Sequence, residues 1–98
     1  EHYRWRCILK GIARMRDFTD GFAKFIAGPP TGVLANGSPV ATTPQAIECH
    51  QHGNTTVCSQ IVIGSPTVLA GGKQVVRLDD QALCGHKVIS ASANVMVP

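Results

Sequence analysis

Two stretches of the chain repeat one another, and the repeat limits what can be built from them. IAGPPTGVLANGSPVAT (26–42) lies over VIGSPTVLAGGKQVVR (62–77). Gly28 falls on Gly64, Pro30 on Pro66 and Thr31 on Thr67. After one extra residue, Gly32, the match resumes: Val33-Leu34-Ala35 on Val68-Leu69-Ala70, Asn36-Gly37 on Gly71-Gly72, and Val40 on Val75. The closing VISASANVMVP (88–98) is a truncated third copy, with Ser92, Asn94, Val95 and Met96 on Ser65, Thr67, Val68 and Leu69. A period of roughly 27–36 residues marks a repeated supersecondary unit. Asn36-Gly37 and Gly71-Gly72 are two-residue hairpin turns, because a type I′ turn needs positive φ at both central positions. Pro29-Pro30 and Pro66 confine the chain before them to extended conformations and belong at strand starts or edges. Each copy is therefore an extended segment, a hairpin and a return strand. One hairpin cannot bury its own apolar face; copies folded about a pseudo-symmetry axis can.

Composition points the same way. All five aromatic residues, Tyr3, Trp5, Phe18, Phe22 and Phe25, lie in the first quarter of the 98 residues. The remainder must build its core from Val, Ile, Leu and Ala, which suits thin, repetitive β-structure. A chain of this length forms one small domain that commonly needs a staple: a metal, a disulfide or a partner. No apolar run approaches the 18 or so residues that span a membrane, and the polar, basic start lacks the apolar stretch of a secretion signal.

The first residues read differently. In YRWRCILKGIARMRDF (3–18), Trp5, Ile8, Leu9, Ile12 and Met15 recur at helical spacing, with Arg6, Lys10 and Arg14 on another face. This predicts a short amphipathic N-terminal helix or arm over residues 1–16, weakened at Gly11, ahead of a domain at 17–98. The arm carries Arg4, Arg6, Lys10, Arg14 and Arg16 against Glu1, a surplus of four positive charges. The rest carries four basic residues against five acidic ones. Basic character thus belongs to the arm, and the domain itself is not expected to bind nucleic acid.

The soft ligands gather at two places. Cys49, His50 and His52 stand in ECHQHGN, and Cys84 and His86 in LCGHK. His50 and His52, two apart, share one strand face and can chelate one ion. Without a secretion signal, the cysteines read as thiols or metal ligands rather than a disulfide framework. Cys58 reads as a small buried strand thiol, Cys7 as a packing or surface thiol. A Cys49–Cys84 disulfide is the alternative. A Cys-His pair could also serve as nucleophile and base, but no third orienting group and no Gly-rich phosphate loop accompany it, so an enzyme is not expected.

GSPTVLAGGKQVVRLDDQALCG (64–85) resembles the signature of the PAAR-repeat proteins: a Gly-Ser-Pro-Thr-Val strand, a turn, a Pro-Ala-Ala-Arg-like strand, an Asp and then Cys-Gly. Gln74-Val75-Val76-Arg77 stands where Pro-Ala-Ala-Arg would be, and the likeness covers about residues 17–98. The resemblance implies a mainly β fold, a small conical pseudo-threefold arrangement of short hairpins. It implies a tip that caps and sharpens the trimeric β-helical spike of a contractile injection machine, such as a phage tail or type VI secretion system. Such a tip touches the target-cell membrane transiently. It is made in the bacterial cytoplasm and works on a virion baseplate or secreted particle, with no small-molecule substrate.

The resemblance further implies a zinc, one per chain, held by His50, His52, Cys84 and His86, which keeps the family's balance of three histidines and one cysteine. Cys49 is the main rival. Family members tend to place a His in an early turn, where this chain has Thr19-Asp20-Gly21-Phe22; Asp20 is a weaker substitute. The His-x-His element is also similar to iron-binding spike apices, so iron is the second choice of metal. Docking on the spike is expected through the equivalent Val33, Val68 and Val95. A small zinc-binding module for nucleic acid or another protein is the alternative function, although paired Cys-x-x-Cys knuckles are missing.

Overall fold

The computed structural model describes residues 9–21, 23–26 and 32–98, the side chain of His52 excepted. Among these, short strands pair in five antiparallel couples. β1 (Lys10–Gly11) pairs with β10 (Met96–Val97), β2 (Leu34–Ala35) with β3 (Ser38–Pro39), and β4 (Gln45–Ala46) with β7 (Gln60–Ile61). β5 (His50–His52) pairs with β6 (Thr55–Val57), and β8 (Leu69–Ala70) with β9 (Lys73–Gln74). The β2–β3 and β8–β9 turns are those the sequence predicts. Asn36 and Gly37 have φ of 54° and 80°, Gly71 and Gly72 of 61° and 80°, the left-handed pair that a type I′ turn requires.

Three segments, residues 11–15, 39–43 and 74–78, wrap around one axis. The Ala13 N–H donates to the Val76 carbonyl at 2.8 Å, Val76 to Ala41 at 2.9 Å, and Ala41 back to Ala13 at 2.9 Å. A second cycle runs in the opposite sense: Met15 to Pro39, Thr43 to Gln74 and Leu78 to Gly11. The bridges Ile12↔Arg77, Arg14↔Val40 and Thr42↔Val75 follow the same order. Each segment hands its hydrogen bonds to the next, so the triangle closes and no edge is left open. Ala13, Ala41 and Val76 line the axis at 0%, 1% and 0% exposure. Only short side chains fit where three backbones converge. Ile12, Val40 and Val75 form a second layer with Ala35, Ala70 and Val97.

The third repeat is assembled from both chain ends. The carbonyls of Val33, Val68 and Val95 accept from the N–H groups of Val40, Val75 and Ile12, so β10 with β1 is the equivalent of the two hairpins. Ser92 confirms its match to Ser65: their hydroxyls accept from the Val95 and Val68 N–H groups at 2.9 and 3.1 Å. Among the described residues, from Leu9 onward, no N-terminal helix is therefore found. Lys10–Gly11 is a strand, and Ile12, Arg14 and Phe18 make bridges. The helical spacing of the apolar residues was real, but Ile12-Ala13-Arg14-x-x-Asp17 is also a copy of Val75-Val76-Arg77-x-x-Asp80. Without it two walls of the triangle would bury backbone groups with no partners. Residues 10–16, assigned to an arm, thus form one wall. Trp5, Cys7 and Ile8 lie outside the described residues, as does the match of Gly28, Pro30 and Thr31 to the second copy.

Charge follows the repeat. Asp17 and Asp80 are buried and take two bonds each from the guanidinium of Arg14 and Arg77, at 2.8–3.2 Å. Each also accepts the backbone N–H of its own arginine at 2.7 Å. The remaining copy replaces the pair with Thr42 and Gln45, and Gln45 donates instead to the carbonyls of Ile26 and Ala46.

Two outcomes follow from this architecture. A chain beginning at Asp17 lacks one wall and should lose cooperative unfolding by calorimetry, whereas a dispensable arm would leave the transition intact. Asp80→Ala leaves the half-buried Arg77 charge and its N–H uncompensated, and should lower stability by about 3 kcal/mol in denaturant titration. Lys73→Ala, exposed at the start of β9, should stay within about 0.5 kcal/mol.

Candidate metal centre

The three central segments each continue into a loop at the end opposite the hairpin turns. The loops are closed by the pairs Phe18↔Lys24, Ala46↔Gln60 and Gln81↔Lys87. They also form a cycle: Asp20 donates to Lys87, Glu48 to Lys24 and Leu83 to Gln60, at 2.8–2.9 Å. The next residue in each loop is Gly21, Cys49 and Cys84. In the first and last loops Thr19 bonds Ala23 as Ala82 bonds His86. Gly21 and Ala23 therefore occupy the places of Cys84 and His86, which is why the early loop brings no soft donor of its own at these positions.

The middle loop is longer and projects the β5–β6 hairpin, whose two-residue turn opens on Gly53 at φ 64°. The hairpin brings His50 to the last loop. His50, Cys84 and His86, each half-buried, offer donor atoms that lie within 4.8 Å of one another. The Cys84 Sγ is 3.7 Å from the His50 Nε2, and the two imidazole rings are tilted by 34° with centroids 4.8 Å apart. His50 Nδ1 donates to the Glu48 carbonyl at 3.1 Å. A carbonyl can only accept, so the neutral ring carries its proton on Nδ1 and turns the Nε2 lone pair toward Cys84. This second bond is the kind that orients metal-binding histidines. Cys84 is held by its own N–H, which donates to the Ser59 hydroxyl at 3.0 Å.

The donor chemistry fits a tetrahedral ion. Two imidazoles and a thiol are the N/S set zinc takes, and ligands on one zinc stand roughly 3.5 Å apart. Three of the four expected ligands are in play. His52 lies opposite Thr55 in the hairpin, and its side chain is outside the described residues. Asp20 is exposed and does not join the group; its carboxylate accepts the Lys87 N–H at 3.3 Å.

The structure corrects the reading of two cysteines. Cys49 and Cys58 form a disulfide, with Cα atoms 4.1 Å apart. Cys58 is exposed rather than a small buried thiol, and Cys49, the rival ligand, has its sulfur in that bond. Cys84 is free, so a Cys49–Cys84 bridge does not form. A sequence signal for the pairing exists. Counting outward from Gly53-Asn54 sets His52 against Thr55, Gln51 against Thr56, His50 against Val57, and then Cys49 against Cys58.

Sequence reasoning also missed Gly21, which serves as a platform rather than a ligand. A Cβ built there would collide with the Nδ1 and Cε1 of His86, so only glycine lets the early loop lie flat beneath that ring. Gly21→Ala should displace the imidazole and weaken metal binding by about tenfold or more in chelator competition. The axial hydrogen-bond cycles of residues 11–15, 39–43 and 74–78 should keep the fold; unchanged affinity would mean that His86 is not a ligand.

The family profile described as the PAAR motif matches residues 17–90, about three quarters of the chain. No curated protein matches it.

Proposed function

The chain belongs to the PAAR-motif family, and on that premise we propose that it is the metal-stabilised tip of the spike of a contractile injection machine. The observation that carries this reading is the closed pseudo-threefold triangle with unlike ends. One end carries the loops that bear the soft donors. The other presents a ring of exposed apolar side chains.

That ring differs from the one expected. Val33, Val68 and Val95 are equivalent by their hydrogen bonds, but Val68 and Val95 are half-buried against the core. The neighbours Leu34, Leu69 and Met96, one in each repeat, are exposed by 60%, 58% and 44%. A threefold set of large apolar groups on a single chain is what a trimeric β-helix can engage with all its subunits at once. Docking is assigned to Leu34, Leu69 and Met96, with Val33 at 43% exposure beside them. One chain would cap one trimer.

At the loop end Cys84 packs against a core of Phe25, Ile47, Ile61 and Val88, and an ion would tie the loops together over it. His50, Cys84 and His86, with His52 as the fourth donor, would hold one zinc per chain; bound zinc contributes folding free energy directly because the site does not exist in the unfolded chain. The role is mechanical rather than catalytic: seal and sharpen the spike and help it cross the target membrane. The tip would be made in the bacterial cytoplasm and act on a tail baseplate or secreted particle.

Elemental analysis of protein purified without chelator should find about one zinc per chain; protein with no metal, or a different metal, would overturn that part. Co-expression with the trimeric spike from the same genome tests the rest. Leu69→Asp should abolish co-purification while the free tip keeps its metal. Retained capture by this variant would place the interface elsewhere.

A further inference from the structure

The disulfide sits where it can act on the metal centre. Cys49 directly precedes His50. Cys58 directly precedes Ser59, whose hydroxyl holds the Cys84 N–H at 3.0 Å and whose carbonyl accepts the Ile47 N–H at 3.2 Å. One covalent bond thus ties together the strand that aims His50 and the residue that anchors Cys84. It does so from the opposite face of the hairpin: neighbouring residues of a strand point to opposite sides, so Cys49 and Cys58 lie behind His50 with the Gln51–Thr56 side-chain bond. The two cysteines are exposed and border, with Cys84, Val57 and Leu83, a cavity of about 440 Å³. A reductant can reach them.

The hairpin needs such a bond. β5 and β6 have three residues each, and an isolated two-stranded hairpin is marginal in water. No member of the axial hydrogen-bond cycles lies within it. If the bond opens, His50 must be ordered afresh when metal binds, and that ordering weakens affinity.

We propose that the Cys49–Cys58 disulfide is a redox-sensitive brace of the metal centre. Oxidised, it presets His50 and Cys84 and the ion is held tightly. A dithiol reductant donates two electrons and two protons, the S–S bond becomes two thiols, the reductant closes to its own disulfide, and the grip on the ion loosens. Cys49 and Cys58 are positioning residues here, not ligands. The inference rests on the metal reading above. A tip made in a reducing cytoplasm and carried to an oxidising exterior would pass between the two states.

The test compares zinc affinity, by competition with a chromogenic chelator, in oxidised protein, in protein reduced with a phosphine that leaves zinc free, and in Cys49→Ala/Cys58→Ala. A second variant, Cys49→Val/Cys58→Thr, keeps cross-strand packing if the first folds poorly. Reduction and both variants should weaken zinc binding by about 10–100-fold, the range for groups that orient ligands. Circular dichroism should change little, a split that general destabilisation would not produce. Equal affinity in all states would overturn the brace. Tighter binding by the reduced wild type, absent from both variants, would overturn it too and make Cys49 a ligand. Oxidised protein that binds no zinc at all would sink the metal reading itself, a result distinct from binding that ignores the disulfide.

Discussion

The structure depends on three backbone hydrogen bonds that run in a circle: Ala13 to Val76, Val76 to Ala41 and Ala41 to Ala13. Strands too short to make a stable sheet become stable when each gives its bonds to the next and the last returns them to the first. Closure also removes the exposed edges that short sheets otherwise leave. The geometry dictates composition at the axis, where only Ala and Val fit, and explains why most of the chain manages without aromatic residues. It makes the two chain ends partners, since one third of the circle is β1 paired with β10.

From that circle the chain diverges in two directions with different physics. Toward the hairpin turns the tight left-handed turns reverse the strands, and Leu34, Leu69 and Met96 are left exposed. Toward the loops the core continues through Phe25, Ile47, Ile61 and Val88. Around that core polar groups are held as well: Asp17 and Asp80 clamped by their arginines, the loop hydrogen-bond cycle, and then the donors His50, Cys84 and His86. Ion pairs, a disulfide and a candidate metal-binding group add to that apolar burial.

The pseudo-symmetry also explains why the loop end is not symmetric in its chemistry. Equivalent backbone positions carry Gly21, Cys49 and Cys84, and each does something different. Gly21 makes room for the His86 ring, Cys49 is tied to Cys58, and Cys84 keeps a thiol beside His50.

The hairpins, their turn types and the two clusters of soft ligands were legible in the sequence, because positive-φ pairs such as Asn36-Gly37 and ligands such as Cys84-x-His86 are local facts about local residues. What was not legible depends on which segments meet. The run containing Leu9, Ile12 and Met15 satisfies a helical period, and only the two unfilled sides of the triangle turn it into a strand. Val68 and Val95 look like an outward face until the core claims them and leaves Leu69 and Met96 outside. Cys49 looks like a ligand until the register of the hairpin sets it against Cys58. The sequence by itself determined the repeat, the turns and the donor chemistry, since these follow from backbone preferences and side-chain type within a few residues. The tertiary structure alone decided the third wall, the exposed apolar ring and the partner of each sulfur, because hydrogen-bond closure around an axis is satisfied only by all three segments together.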